Sequence, residues 1–401
     1  MKKYHSNNAI FNRKTYNDLE INFDSNEVEE TLDSKLSIIK KKLYKFKNPY
    51  VGNKRKLICE IIKTIDKYDI EYKTVLDLFT GSGYVSAAMQ LLGKNVICND
   101  ILLSSYYNAL AMIVNNSIEL TDKEKDYLLN NDSKKLIHKF FDNYSDRFTL
   151  REIEFLNNYY YNVRDLFSPF SSDGLTHMKT AISFSSIHNY ILEKCFVGGR
   201  LSNNQVLAKV EHRINHKRNG GREMAFKDIR WTTFNCSNES IESKIFSLDA
   251  IDLLKSRKEL DIFPDICYID PPYGGKQSDY VEMYEFVEGY SRLETREERE
   301  MILETYNDEC VESIKKKKEA QKRFINKTGY SDNFNKLISA TNGIPCIVIS
   351  YNDSSWGTID EISSIVSKYR KSVIVENFDY DYQYRDRNSK KQSKEFLIIG
   401  R

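Results

Sequence analysis

Two hydrophobic periods, one of about 3.6 and one of short unbroken apolar runs, divide the chain into candidate helices and strands. Residues 1 to about 35 are polar, with scattered charge and no clear period, and read as an N-terminal extension. From Ser37 a helical spacing runs to Lys47, where Asn48 and Pro49 break it. Lys54 to Lys67 places Leu57, Ile58, Ile61, Ile62 and Ile65 on one helical face. Thr74 to Phe79 is a short apolar strand, Gly81-Ser82-Gly83 a tight turn, Tyr84 to Leu92 a helix, and Asn95 to Cys98 a second strand closing at Asp100. Such a unit belongs in a parallel sheet wrapped by helices.

Residues 103 to about 170 read as helical and polar, and 171 to 235 as irregular. Regular α/β alternation resumes near Phe246. Ile266 to Ile269 is a buried strand that runs into Asp270-Pro271-Pro272-Tyr273. A charged helical block follows, with the run Lys315 to Lys318 read as a solvated face. Pro345 to Tyr351 is another strand and Ile359 to Lys368 a helix. Ser372 to Phe378 and Phe396 to Ile399 form a terminal strand pair joined by a long polar loop. No internal repeat is present.

Charge and cysteine usage narrow the setting. The 401 residues carry 60 Lys plus Arg against 58 Asp plus Glu, a net charge of +2, so any polyanion must be met by a local basic patch. The seven cysteines form no C-x-x-C pair, which argues against a zinc ribbon or a disulfide framework and predicts a reduced, cytoplasmic setting. The histidines show no metal-ligand spacing, so no metal is expected. The N-terminal residues contain no apolar core of signal length, and no stretch approaches the ~18 apolar residues of a membrane span.

Two turns carry candidate chemistry. Asp77 to Gly83 lies where a strand enters a helix, so backbone can approach a ligand there and the helix N-terminus offers free N–H groups. Asp100, at the end of the next strand, stands where such folds keep the acid that binds ribose. A structural turn beside a chance acid is the plain alternative. At Asp270-Pro271-Pro272-Tyr273 a carboxylate, two residues without N–H groups and an aromatic ring meet at one strand end. The carboxylate and a proline carbonyl can accept the two hydrogens of an exocyclic amine, and the ring can stack on its planar base. A plain proline turn requires no such combination.

These motifs, with Tyr50-Val51-Gly52-Asn53-Lys54, resemble the DNA adenine-N6 methyltransferases, which are Dam-like enzymes using S-adenosylmethionine. The order of cofactor motif, glycine turn, long insert and catalytic turn is similar to the family's alpha arrangement. Ile349 to Asn352 resembles the later strand motif beside the target-base pocket. The resemblance covers roughly residues 40 to 110 and 245 to 401. It implies an α/β fold: a Rossmann-like class I methyltransferase with a mostly parallel, doubly wound sheet, interrupted by an inserted DNA-recognition region. The implied division is 36–115 and 241–401 for the catalytic domain and 116–240 for the insert.

Carried over residue by residue, the resemblance implies that Tyr50 and Lys54 hold the methionine end of the cofactor. It gives Asp77, Phe79, Gly81 and Gly83 to its bed, Asp100 to the ribose and Asp249 to the cofactor adenine, although Asp249 reads equally as a helix N-cap. Asp270, Pro271, Pro272 and Tyr273 would be catalytic. Asn53, where many members have glycine, is a departure from the pattern. Double-stranded DNA is the implied substrate and a cognate restriction nuclease the implied partner.

Rival readings remain at this level. Pro345-Cys346 with Glu376-Asn377 faintly resembles the cytosine-C5 enzymes, which use a cysteine nucleophile. Cytosine-N4 enzymes also act on an exocyclic amine, but usually carry Ser at the first position of the catalytic turn. An RNA or protein-amide methyltransferase, or a binding module without turnover, stands further off. Between Lys194 and Arg230, nine Lys/Arg face three Asp/Glu, with His188, His212 and His216 in or near the stretch. Arg200, Arg213, Lys217, Arg218 and Arg222 are the candidate DNA contacts, on phosphate or guanine edges.

Overall fold

The computed structural model describes residues 31–45, 48–130, 135–167, 174–195, 209–211, 224–233, 241–272, 274, 279–293, 314–353, 355–382 and 391–401. Seven strands form one sheet: β1 (Thr74–Asp77), β2 (Asn95–Asn99), β3 (Ser243–Phe246), β4 (Ile266–Ile269), β5 (Cys346–Asn352), β6 (Val373–Tyr382) and β7 (Lys391–Gly400). Their spatial order is β3-β2-β1-β4-β5-β7-β6. The first five are parallel, and β7 inserts antiparallel between β5 and β6. The terminal strand pair is therefore longer than its apolar residues suggest, because the ladder continues into polar sequence.

Central strands are buried on both faces, so they read as continuous apolar runs. Their side chains still alternate. On β1, Val75 joins one core and Leu76 the other; on β4, Ile266 and Tyr268 oppose Cys267 and Ile269. One core is covered by α1 (Leu32–Lys45), α2 (Ile58–Lys67) and α3 (Tyr84–Leu91). Next in the chain come α4 (Leu103–Ala109), a π-helix over Leu110–Val114, α5 (Asp122–Leu129), α6 (Leu150–Leu166) and α7 (Gly174–Cys195). The opposite face of the sheet receives α8 (Ala250–Ser256). The short helices α9 (Tyr280–Met283) and α10 (Glu285–Tyr290) precede α11 (Ile314–Ile325), α12 (Tyr330–Ala340) and α13 (Ile359–Ser367). With helices on both faces, the sheet is doubly wound and mostly parallel, the arrangement that the resemblance implies.

The stretch read as polar and helical, 103 to about 170, is helical but builds a third core. Phe140, Phe141, Phe148, Leu156 and Tyr159 are buried there with Val287 and Tyr290 of α10. Asn157, Asn158 and Asn162 are buried rather than on the surface, and Asn162 Nδ2 donates to the carbonyls of Tyr127 and Asn130 at 2.9 Å. The stretch read as irregular contains α7, which packs along α4 and the π-helix. That helix is buried nearly all round, so it has no amphipathic period, and its Thr180, Ser183 and Ser186 hydroxyls bond back to carbonyls four residues earlier. No helix among the described residues is long and apolar enough to cross a membrane.

Candidate active site

Strand order reverses between β1 and β4, and a cleft opens beyond the carboxyl ends of these strands, the usual ligand position in open α/β sheets. Its volume is about 920 Å³, open solvent at the mouth included. The fold brings Tyr50, Lys54, Asp77, Phe79, Gly81, Asp100, Asp249, Asp270, Pro271 and Pro272 to its walls. Gly83 is not among the lining residues. At φ +78° it caps the start of α3, and a Cβ there would lie 2.6 Å from Met112 Cε, inside the π-helix rather than in the cleft. Tyr273 lies outside the described residues, as do Arg200, Arg213, Lys217, Arg218 and Arg222.

Hydrogen bonds fix the turn after β1. Gly81 N donates to Asp100 Oδ2 at 2.7 Å, and Leu102 N to Asp100 Oδ1 at 2.9 Å. Thr80 Oγ1 donates to Asp77 O and accepts from Asn99 N, both at 3.0 Å. Asp100 thus organises the turn with its two oxygens while keeping further lone pairs for a ligand. Burial raises its carboxyl to about 6, against the two backbone N–H groups that lower it.

Asp77 is enclosed. Ser86 Oγ donates to its Oδ2 at 2.6 Å, and no donor among the described residues reaches its buried Oδ1. Burial pushes the carboxyl up to about 7; the Ser86 bond opposes this, and the Asp270 and Asp100 carboxylates add to it. Between its ordinary value of 3.8 and about 7 the folded chain holds a proton on Asp77 that the unfolded chain has released. Stability must therefore fall as pH rises through that window, and Asp77→Asn must remove that part of the fall. Urea unfolding of parent and variant at several pH values checks this: the variant is expected to gain on the parent between about pH 4 and 7. Parallel pH profiles would show an ordinary carboxylate.

Tyr50 stands at the other wall, its ring parallel to those of Tyr284 and Tyr280 at 4.9 and 5.6 Å. Lys54 is 5% exposed, and its Nζ lies 3.2 Å from Asp270 Oδ1 and 3.7 Å from Glu395 Oε2. Asn352 Nδ2, at the end of β5, donates to Glu395 Oε1 at 3.1 Å. Asp249 has both of its sequence-level roles open to it. Its Oδ1 caps α8 by accepting from the Ile251 and Asp252 amides, its Oδ2 pairs with Arg323 at 2.8 Å, and it lines the cleft.

Several residues at this site carry no clear sequence signal. Gln321 and Phe324 of α11 and Tyr280 of α9 line the cleft, and Phe324 meets Phe79 edge-on at 5.7 Å. Lys317, in the run read as solvated, is buried and pairs at 3.4 Å with Glu288, which accepts the Leu103 and Ser104 amides. His188 is likewise interior: its Nε2 is 3.2 Å from Ser291 Oγ and burial lowers it to about 4, so it is no surface contact for DNA. The C5-type rival loses its geometry. Cys346 is buried in β5 with its thiol raised to about 11 by burial, and Glu376 pairs with Lys67 at 2.6 Å; neither lines the cleft.

The comparisons with known proteins agree with this geometry. The family model of the D12 class N6 adenine-specific DNA methyltransferases matches residues 50–339. The Type II methyltransferase M2.HphI of Haemophilus parahaemolyticus is 24% identical over 364 residues, covering 87% of this chain and 96% of that protein. The Type II methyltransferase M.FokI of Planomicrobium okeanokoites is 23% identical, over 86% of this chain and 51% of that protein. The modification methylase StsI of Streptococcus sanguinis is 24% identical, over 87% and 51%. The chain thus spans nearly all of the first relative and about half the length of the other two. An Asp-Pro-Pro turn leaving β4, a glycine turn leaving β1 and a family match running through both lead to one conclusion: the chain belongs to the D12 class N6 adenine-specific DNA methyltransferases.

Proposed function

We propose that this cleft binds S-adenosylmethionine and a flipped adenine side by side, and that the chain methylates N6 of that adenine at one sequence in duplex DNA. The observation that carries the reading is Asp270, held at the end of β4 by the buried Lys54 and sharing a cleft with the Asp100-Gly81 turn. The residues present fit the cofactor. Asp77 keeps a buried oxygen without a donor, suited to the cationic methionine end beside Tyr50 and Lys54. Asp100 retains acceptor capacity for ribose hydroxyls, and Phe79 and Phe324 offer apolar walls to an adenine whose edge Asp249 can meet.

S-adenosylmethionine supplies a methyl group already activated on a sulfonium. The protein's task is then positioning and electrostatics. The adenine amine is a poor nucleophile because its lone pair is delocalised into the ring. Asp270 and the Pro271 carbonyl accept its two hydrogens, which favours a pyramidal nitrogen. These bonds strengthen as the nitrogen becomes cationic, and the displaced proton passes to solvent. A base inside a duplex cannot reach such a cleft, so it must be extruded, with Tyr273 as its stacking partner. Tritium transfer from labelled S-adenosylmethionine to duplex DNA, followed by nucleoside analysis, tests the reading. N6-methyladenine is expected; N4-methylcytosine would assign the amine to the wrong base.

Sequence choice is assigned to the insert at 116–240. Its helices α5 to α7 share a core with α10, so the recognition surface belongs to the basic stretch beyond Cys195. Replacing Arg200, Arg218 and Arg222 together is expected to cripple DNA binding and spare cofactor binding. Each lost phosphate contact should flatten the log-affinity against log-salt slope by about 0.9, whereas a lost guanine contact should relax sequence choice and leave the slope nearly unchanged. Titrating specific and scrambled duplexes at several salt concentrations separates the two; parental behaviour at every salt would move the interface elsewhere. In a cell, the activity fits the modification half of a restriction system, with a cognate nuclease as partner.

A further inference from the structure

Glu395 has no part in the family resemblance, yet it is 2% exposed and opens the apolar run Phe396 to Ile399 on β7, between β5 and the edge strand β6. In the β5–β7 ladder it stands directly opposite Asn352, whose amide it accepts. Its second oxygen lies within ion-pair reach of Lys54, the same ammonium that contacts Asp270. Burying a carboxylate here is unfavourable, and an apolar residue would satisfy the strand without that penalty. Two carboxylates thus share the Lys54 ammonium beside the point where the adenine amine turns cationic.

We propose that Glu395 is a positioning residue for methyl transfer: it draws the Lys54 ammonium partly away from Asp270, holding that carboxylate in place as an incompletely neutralised acceptor. The inference rests on the reading of Asp270 given above. Without Glu395 the ammonium loses its second carboxylate and settles more closely on Asp270, which becomes a weaker acceptor for a developing positive charge. The loss should fall on the chemical step, because ground-state binding of cofactor and DNA uses other residues.

Substitutions that separate charge from shape test this. Glu395→Gln keeps the shape and the Asn352 bond and loses the charge; Glu395→Asp keeps the charge and loses a methylene. In single-turnover assays with the full chain, Glu395→Gln is expected to slow methyl transfer about 10- to 100-fold, with KM for DNA and cofactor affinity within about threefold of the parent. Glu395→Asp should be the faster of the two; a merely structural role predicts the reverse order. Urea unfolding of the protein without cofactor gives an independent readout. Lys54→Met takes the ammonium from the buried Glu395 and the half-buried Asp270, so adding Glu395→Gln should restore part of the stability lost, a coupling that additive effects would contradict. Glu395→Gln turning over like the parent, or faster than Glu395→Asp, overturns the inference. Asp270→Ala is run alongside: if it is inactive while Glu395→Gln is normal, only the inference fails; if Asp270→Ala stays active, the reading of the site fails and takes the inference with it.

Discussion

Asp270→Ala is expected to abolish methyl transfer, by about a thousandfold or more, and to leave S-adenosylmethionine affinity within about threefold of the parent. The asymmetry follows from position. Asp270 leaves β4 next to Pro271 and Pro272, whereas the glycine turn and Asp100 leave β1 and β2 across the cleft. An acceptor whose bond strengthens only as the amine becomes cationic contributes to the transition state and little to ground-state binding. The fold should tolerate the change. Lys54, the partner that Asp270 leaves behind, still faces Glu395, so no buried ammonium is stranded. Calorimetry for the cofactor and tritium transfer for the reaction check the two halves. More than about a tenth of the parental activity would remove Asp270 from its role.

The two glycines of the turn after β1 should fail differently. Gly81 has φ +49°, and a Cβ there would lie 3.0 Å from the Tyr50 ring, so Gly81→Val should push Tyr50 from its place in the cleft and abolish measurable cofactor binding. Gly83 has φ +78°, and its Cβ would meet Met112 and Ile113 at 2.6 and 3.1 Å. Gly83→Val therefore combines a β-branched residue in left-handed backbone with overpacking against the π-helix. It should cost about 2–5 kcal/mol of fold stability. Urea unfolding and calorimetry on both variants separate the outcomes. A Gly83→Val protein that keeps parental stability but cannot bind cofactor would place Gly83 in the cleft after all.

Much of this site is legible along the chain because its residues sit at strand ends. Asp77, Asp100 and Asp270 each close a short apolar run, and parallel strands bring such ends to one edge of a sheet. Glu395 also borders an apolar run, but at the start of an antiparallel strand, and only the register opposite Asn352 carries it to the same edge. Lys317 lies in a lysine run whose composition reads as surface; its burial depends on Glu288, which a sequence pattern cannot pair with it. Helix α7 escapes notice because a helix buried all round has no polar face to set a period. Gly83 is recognisable as a turn glycine, but the neighbour that forbids a side chain is the π-helix, a deviation from the regular period that no spacing rule anticipates.

Modified-base sequencing of DNA from cells expressing either the parent or Asp270→Ala tests the central claim most directly. N6-methyladenine is expected at every copy of one short sequence with the parent, and at none with the variant. Parental DNA without N6-methyladenine, a mark on cytosine N4, or a mark that persists with Asp270→Ala would contradict the account.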